Sequence, residues 1–444
     1  MSASGTHRAI EAVWRIESAK IIASLARMLR DVGLAEELAQ DALVIALERW
    51  PDAGVPDNPA AWLMAAAKRR ALDWLRRSQM LERKHQELGP EIELQHEIAT
   101  EEFAAAVDEA IDAGRRGQSL VEIESEAEVS DNLLRLIFTS CHPVLSSEAR
   151  VALTLRLLGG LTTDEIARAF LVPEATVAQR IVRAKRSLTE ANVPFELPRG
   201  DALGERLSSV LAVLYLIFNE GYAATAGHDW MRPMLCEEAL RLGRILTELM
   251  PQEPEVHGLV ALMEIQASRT RARTSPNGEP ILLLEQNRAR WDQLLIGRGL
   301  AALERAGNLS HAQGVHNGPY TLQAAIAACH ARARTAAETD WVRIAAIYEV
   351  LAQLTPSPVV ELNRAVAVSM AYGPDAGLEI VDALIDEPSL KSYHLLPSVR
   401  GDFLYRLGRM AEAGEEFRRA AELTRNARER ELLLERLGRC SPAR

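Results

Sequence analysis

From residue 8 onward, apolar residues recur every three or four positions, and almost no stretch alternates as a half-buried strand would. The periodicity predicts an all-α chain. Only 5% of the residues are aromatic, and Ala, Leu, Glu and Arg abound, as helices favour. Breaks in the pattern fall at Pro51–Pro59, Gly89-Pro90, Pro194–Gly200, Pro251–Pro254, Ser275–Pro280 and Gly307–Pro319. They divide the 444 residues into a helical unit over 8–86, a linker over 87–130, a second small unit over 131–198 and a long helical region over 199–444.

The net charge of −11 argues at first against a nucleic-acid binder, but its distribution reverses that reading. Residues 87–131 hold 14 acidic side chains against Arg115 and Arg116, a net of −12. Residues 1–86 come to +2 and residues 132–199 to +3. One acidic stretch therefore accounts for the imbalance, and the blocks on either side of it are able to meet phosphate.

The sharpest local signal is TTDEIARAFLVPEATVAQRIVRAKRSL, residues 162–188. Thr162 or Thr163 caps a first helix, with Glu165 near its positive end and Ile166, Ala167 and Phe170 on its apolar side. Leu171-Val172-Pro173 makes the turn, and Pro173-Glu174 suits the start of the second helix. There Val177, Ile181, Ala184 and Leu188 form the buried stripe, while Gln179, Arg183 and Arg186 form another face with Arg180 beside it. A helix-turn-helix needs this arrangement, because Gln and Arg reach base edges in a major groove while other cations hold phosphates. The stretch Leu136–Leu158 reads as helices packed behind it.

In residues 33–50, Leu43, Ala46, Leu47 and Trp50 mark a core stripe, and Glu37, Asp41 and Glu48 share another face. A Pro- and Asp-rich loop follows, then a helix over 58–77 with Leu63, Ala67, Ala71 and Trp74 facing inward. Lys68, Arg69, Arg70, Arg76 and Arg77 are left near the surface, and residues 62–86 carry a net +5. An acidic helix beside a basic one suggests two partners, one basic and one phosphate-bearing.

The long last region shows a weak repeat. Ala376, Ile380 and Ala383 recur 37 residues later as Ala413, Phe417 and Ala420, a small–large–small series resembling the tetratricopeptide pattern of about 34 residues. Asn219, Glu220 and Tyr222 read as a polar helix end with Gly221 as terminator, or as a small-molecule or peptide site. Cys141, Cys236, Cys329 and Cys440 lie far apart, and the Cys141-His142 and Cys329-His330 pairs lack ligand spacing, so no disulfide framework, metal site or cofactor is expected. No nucleophile–base pair or phosphate loop points to an enzyme. The start lacks a signal-peptide h-region, and the longest strongly apolar run, Val210 to Phe218, is too short to cross a bilayer. A cytoplasmic protein without a membrane partner is the expectation.

Taken together, these blocks resemble a bacterial RNA polymerase sigma factor of the extracytoplasmic-function group, in the sigma-70 family. AEELAQDALVIALERW resembles the region-2 helix that docks on the clamp helices of the β′ subunit. NPAAWLMAAAKRRALDWLRR resembles the following helix, which engages the promoter −10 element. TTDEIARAFLVPEATVAQRIVRAKR resembles region 4.2, which reads the −35 element. YLIFNEGY, GPYTLQAAIAACHA and TPSPVVELNRAVAV resemble the long tetratricopeptide-like C-terminal extension of one subgroup. The fold implied is two small sigma-type domains, regions 2 and 4, joined by the acidic linker and followed by a helical-hairpin domain.

The resemblance also implies roles. Glu37, Gln40 and Asp41 would bind core polymerase, and helices around Leu134–Leu158 would meet the β flap. The loop Pro51–Pro59 would cradle a flipped −10 base, with Lys68, Arg69, Arg70, Arg76 and Arg77 on the strand. Gln179 and Arg183 would approach −35 bases, with Arg180, Lys185 and Arg186 mainly on phosphates and Thr176 also among the −35 contacts. The linker would pass near the polymerase active site and RNA-exit path. Arg69 stands where many relatives carry Asn, and Ala178 where a basic residue is common, so base readout at both elements departs from the usual pattern. The rival reading is a helix-turn-helix regulator with a tetratricopeptide-like scaffold that never joins polymerase. In either case the extension is open to a protein or small-molecule partner.

Overall fold

The computed structural model describes residues 3–85, 126–170, 172–224, 231–275 and 280–440, and the acidic linker lies outside them up to residue 125. Among the described residues the chain is helical, with only an isolated bridge between Thr274 and Pro280. It divides into two units, Met1–Val213 and Leu214–Arg444.

In the first unit α1 (Ala3–Leu29) packs against α2 (Val32–Ala53), α3 (Pro59–His85) and α4 (Glu126–Ser140). Ile10, Ile21, Ile22 and Leu25 supply its fully buried face. Asp31 starts α2, its Oδ1 accepting from the Leu34 N–H at 3.0 Å. α2 runs through Pro51 and ends where Gly54 takes φ +84°, so the expected Pro51–Pro59 loop shrinks to residues 54–58. The Asn58 Oδ1 accepts from the Ala61 N–H at 3.1 Å and opens α3. Trp50 packs edge-on against Trp62 at 5.3 Å and joins the two helices under that loop.

The first unit continues with α5 (Ser147–Leu157), α6 (Thr163–Phe170) and α7 (Glu174–Glu190). Thr162 is the cap of α6: its hydroxyl accepts from the Glu165 N–H at 3.2 Å, and the Glu165 carboxylate accepts from the Thr162 N–H at 2.8 Å. The buried residues of α7 are Val177, Ile181, Ala184 and Leu188, the stripe read from the periodicity.

α8 (Asp201–Tyr222) crosses the division between the units. In its first half the Arg206 guanidinium donates to the Phe138 carbonyl at 2.8 Å and the Ser209 hydroxyl to the Cys141 carbonyl at 2.6 Å. Over Ala202–Tyr222 this helix is long and apolar enough to span a membrane, beyond the nine-residue run seen in the sequence, but Leu207, Val210, Leu211, Val213, Leu214, Ile217 and Phe218 are buried within protein. Gly221 does not terminate it. A Cβ there would sit 2.6 Å from the Cys236 nitrogen, so glycine admits α9 (Pro233–Leu249) at close range. Glu220 pairs with Arg232, which accounts for one side chain of the polar helix end.

The second unit continues with α10 (Pro254–Ala267), α11 (Gln293–Gln313), α12 (Pro319–Arg332), α13 (Trp341–Leu354), α14 (Pro358–Tyr372), α15 (Pro374–Asp382), α16 (Leu395–Arg406), α17 (Met410–Leu423) and α18 (Ala427–Cys440). From α12 to α18 each helix packs on the next. The GPYT stretch has a clear cause: the Glu255 carboxylate accepts from the Tyr320 and Thr321 N–H groups at 2.8 and 3.1 Å and satisfies the start of α12. A Cβ on Gly318 would strike that carboxylate at 2.4 Å. The small–large–small series is buried in α17 at Ala413, Phe417 and Ala420. In α15 the buried residues are Gly377, Leu378 and Val381 instead of Ala376, Ile380 and Ala383. The cause is Gly377, whose missing Cβ lets the helix rest on the Ala365 carbonyl and Ser369 of α14.

Burial pushes the Cys141 thiol up to about 11 and the Cys236 thiol up to about 12, so both are poor nucleophiles. Burial, then the Arg269 and Arg288 guanidiniums, pushes His330 down to about 4, and burial with Arg206 does the same for His142. Between pH 6.5 and 4 the unfolded chain takes up protons that the folded chain refuses. The stabilisation is therefore complete above pH 6.5 and is lost as the pH falls toward 4. We expect the urea midpoint to fall between pH 7 and pH 5, and His330→Gln to reduce that fall without abolishing it. An equal fall in both proteins would remove His330 as a cause.

Candidate nucleic-acid interface

The second helix of the helix-turn-helix, α7, starts directly after Pro173, whose carbonyl accepts from the Thr176 N–H at 2.9 Å. Its buried stripe turns Gln179, Arg183 and Arg186 outward, with Thr176 and Arg180 half-buried at the edges. Val182 stands among them, 64% exposed. Arg186 donates to Glu190 at 2.6 Å, and that bond holds its guanidinium above the ordinary range. Both partners are exposed, so water and salt weaken the pair and a phosphate competes with it readily.

Lys185 departs from the expected phosphate-facing position. Its side chain is only 20% exposed, and its Nζ lies 2.5 Å from the Glu36 carboxylate of α2. The same carboxylate receives the Arg156 Nε of α5 at 2.6 Å.

On α2, Glu37 and Asp41 are exposed and Gln40 is half-buried. The Gln40 amide donates to Glu36 at 2.6 Å, and Asp41 lies 4.0 Å from Arg70 across the α2–α3 pair. On α3, Arg69, Arg76 and Arg77 are exposed and Arg70 is half-buried, but Lys68 is only 1% exposed. Lys68 shares a helical stripe with Ala65, Ala71 and Leu72, all buried, and the alanines around it let the neighbouring helices close over its stem. It therefore leaves the set of surface cations. Trp74 makes the opposite departure. Expected inside, it is 40% exposed, one turn from both Arg70 and Arg77. An aromatic plane between guanidiniums is a surface on which an unpaired base stacks. The helical period allowed either face, so sequence reasoning missed it.

Beside α3, Arg49, Trp50, Ala53, Gly54, Val55, Pro56, Asp57 and Trp62 line a hollow of about 250 Å³. That is roughly eight waters' share of liquid volume.

Comparisons with known proteins fall on these elements. Residues 17–80 match the family described as Sigma-70 region 2, and residues 135–188 match Sigma-70, region 4. The chain belongs to the extracytoplasmic-function type of sigma factors and carries a C-terminal extension. Residues 206–307 of this sigma factor match a family of unknown function (DUF6596). The "Uncharacterized protein R00370" of Rhizobium meliloti (strain 1021) is 41% identical over 406 residues, 91% of this chain and 90% of that protein. The "ECF RNA polymerase sigma factor SigK" of Mycobacterium ulcerans (strain Agy99) is 29% identical over 173 residues, 38% of this chain and 78% of SigK. The SigK of Mycobacterium sp. (strain KMS) is 27% identical over 184 residues, 40% of this chain and 81% of SigK. No solved structure matches at a significant level. The sigma families are not enzymes, and they imply binding to core RNA polymerase and promoter DNA and a cytoplasmic location.

Proposed function

We propose that this sigma factor joins core RNA polymerase and directs promoter-specific initiation. The observation that carries the reading is the outward face of α7, where Gln179, Arg183 and Arg186 stand on the second helix of a capped helix-turn-helix. Gln179, Arg183 and the edge residue Thr176 read −35 base edges, and Arg180 and Arg186 hold phosphates. Arg69, Arg70, Arg76 and Arg77 track the −10 strand, Trp74 stacks an unpaired base, and the hollow under residues 54–58 receives another. Glu37, Gln40 and Asp41 face the β′ clamp helices, α4 and α5 meet the β flap, and the extension beyond α8 regulates the assembly.

Each domain is weak on DNA alone. Core polymerase holds both at the promoter spacing, so that modest contacts add through effective concentration. The test is run-off transcription with core enzyme on genomic fragments. Discrete start sites that require the chain are expected. A chain that fails to co-purify with core and yields no discrete transcript defeats the reading and leaves a helix-turn-helix regulator acting apart from polymerase.

A further inference from the structure

Within the first unit, regions 2 and 4 are packed on each other. Their most buried polar contact is the Glu36 carboxylate, 4% exposed, held by Arg156 Nε at 2.6 Å and Lys185 Nζ at 2.5 Å. Arg156 also donates to the Leu161 carbonyl at 3.2 Å, which fixes it at the turn before α6. A second, more exposed pair, Arg15 with Glu165 at 3.3 Å, joins α1 to the cap of α6. Nearby, a polar cleft of about 1270 Å³ opens between the α1–α2 turn and the end of α7, lined by Arg27, Arg30, Asp31, Lys185 and Glu196 among others. Regions 2 and 4 thus meet through the packing of α1 on α4 and, where α2 faces α5 and α7, through charges beside a wet cleft. The charged part of the contact separates more readily than a dry apolar face.

This closed arrangement conflicts with the working geometry. Elements named for positions −35 and −10 lie about 25 base pairs apart, or about 85 Å along a duplex that rises 3.4 Å per step. No chain with α2 and α7 joined through one carboxylate reaches both. Lys185, a cation of the DNA-reading helix, is also consumed by the contact.

We propose that Glu36 is an intramolecular latch: it docks region 4 onto region 2 in the free chain, and promoter engagement requires its release. The partner of this α2 surface in the free protein is region 4 itself, which polymerase and DNA must displace. The proposal rests on the sigma-factor reading for its consequence, but not for its geometry. Removing the carboxylate leaves Arg156 and Lys185 facing each other without a counter-charge, so the closed form is driven apart.

The test uses the full chain with spin labels at Ala12→Cys and Ala191→Cys, both exposed, while the four native cysteines are buried. One narrow distance is expected in the parent chain. Glu36→Gln is expected to replace it with a longer, broad distribution. It should also raise affinity for a 30-base-pair duplex of mixed sequence at low salt by about three- to tenfold, as Lys185 becomes available. Arg156→Gln, which alters the other partner, should open the distance as well. Far-UV circular dichroism checks that each variant keeps its helix content. A broad distribution in the parent chain overturns the latch, as do unchanged narrow distances in both variants. Because the distance needs no polymerase, an intact latch with failed run-off transcription would sink the sigma reading alone.

Discussion

Replacing Arg183 with alanine is expected to lower initiation from this chain's own promoters roughly ten- to a hundredfold, the loss of a base-edge contact of about 1–3 kcal/mol. Arg183 is exposed on α7, away from the Val177–Leu188 stripe, so the substitution leaves the domain's packing intact. Its signature is a loss of discrimination at one −35 position. Arg186→Ala should behave differently. Its guanidinium sits one turn further along beside Glu190, and its loss should weaken all sequences alike and lower the salt slope by about one. Run-off yields on a matched promoter and on one altered at −35, each at two salt concentrations, separate the two behaviours. Unchanged yield and discrimination in Arg183→Ala would remove it from the base-reading set.

The second large effect concerns where the sigma part ends. A chain cut after Pro198 is expected to be less stable than one cut after Val213 by at least about 3 kcal/mol, roughly 6–12 °C in melting temperature for a chain of this size. The cut at Pro198 removes the first half of α8, which carries the buried Leu207, Val210, Leu211 and Val213. It also strips the Phe138 and Cys141 carbonyls of the Arg206 and Ser209 donors, leaving acceptors that the fold had buried. Arg150 loses Ser209 at 2.5 Å as well. Equal melting temperatures for the two truncations would show that this half-helix belongs energetically to the extension. The comparison also matters for regulation, because a loss of transcription after the shorter cut would report unfolding of region 4 and not release from the extension.

Much of the first unit was legible because its signals are local. The capping pair of Thr162 and Glu165 spans a single turn, and the α7 stripe repeats every three or four residues, so neighbours in sequence are neighbours on the helix. The same logic failed where two faces scored alike. In the alanine-rich start of α3, small residues lie on every side, and only packing decided that Lys68 goes in and Trp74 stays out. Gly221 resembled a helix stop, and Gly377 gave no signal in the sequence, because the reason for a missing Cβ lies in another helix.

By itself, then, the sequence determined the helical class, the order of the two sigma regions, and the residues that α7 turns away from its core. Periodicity and capping are properties of adjacent residues, and no partner helix is needed to read them. Only the tertiary structure decided that Glu36, with Arg156 120 positions away and Lys185 further still, holds the two regions together. Ion pairs between distant segments leave no period in the chain, and they form only when folding has brought both helices to the same place.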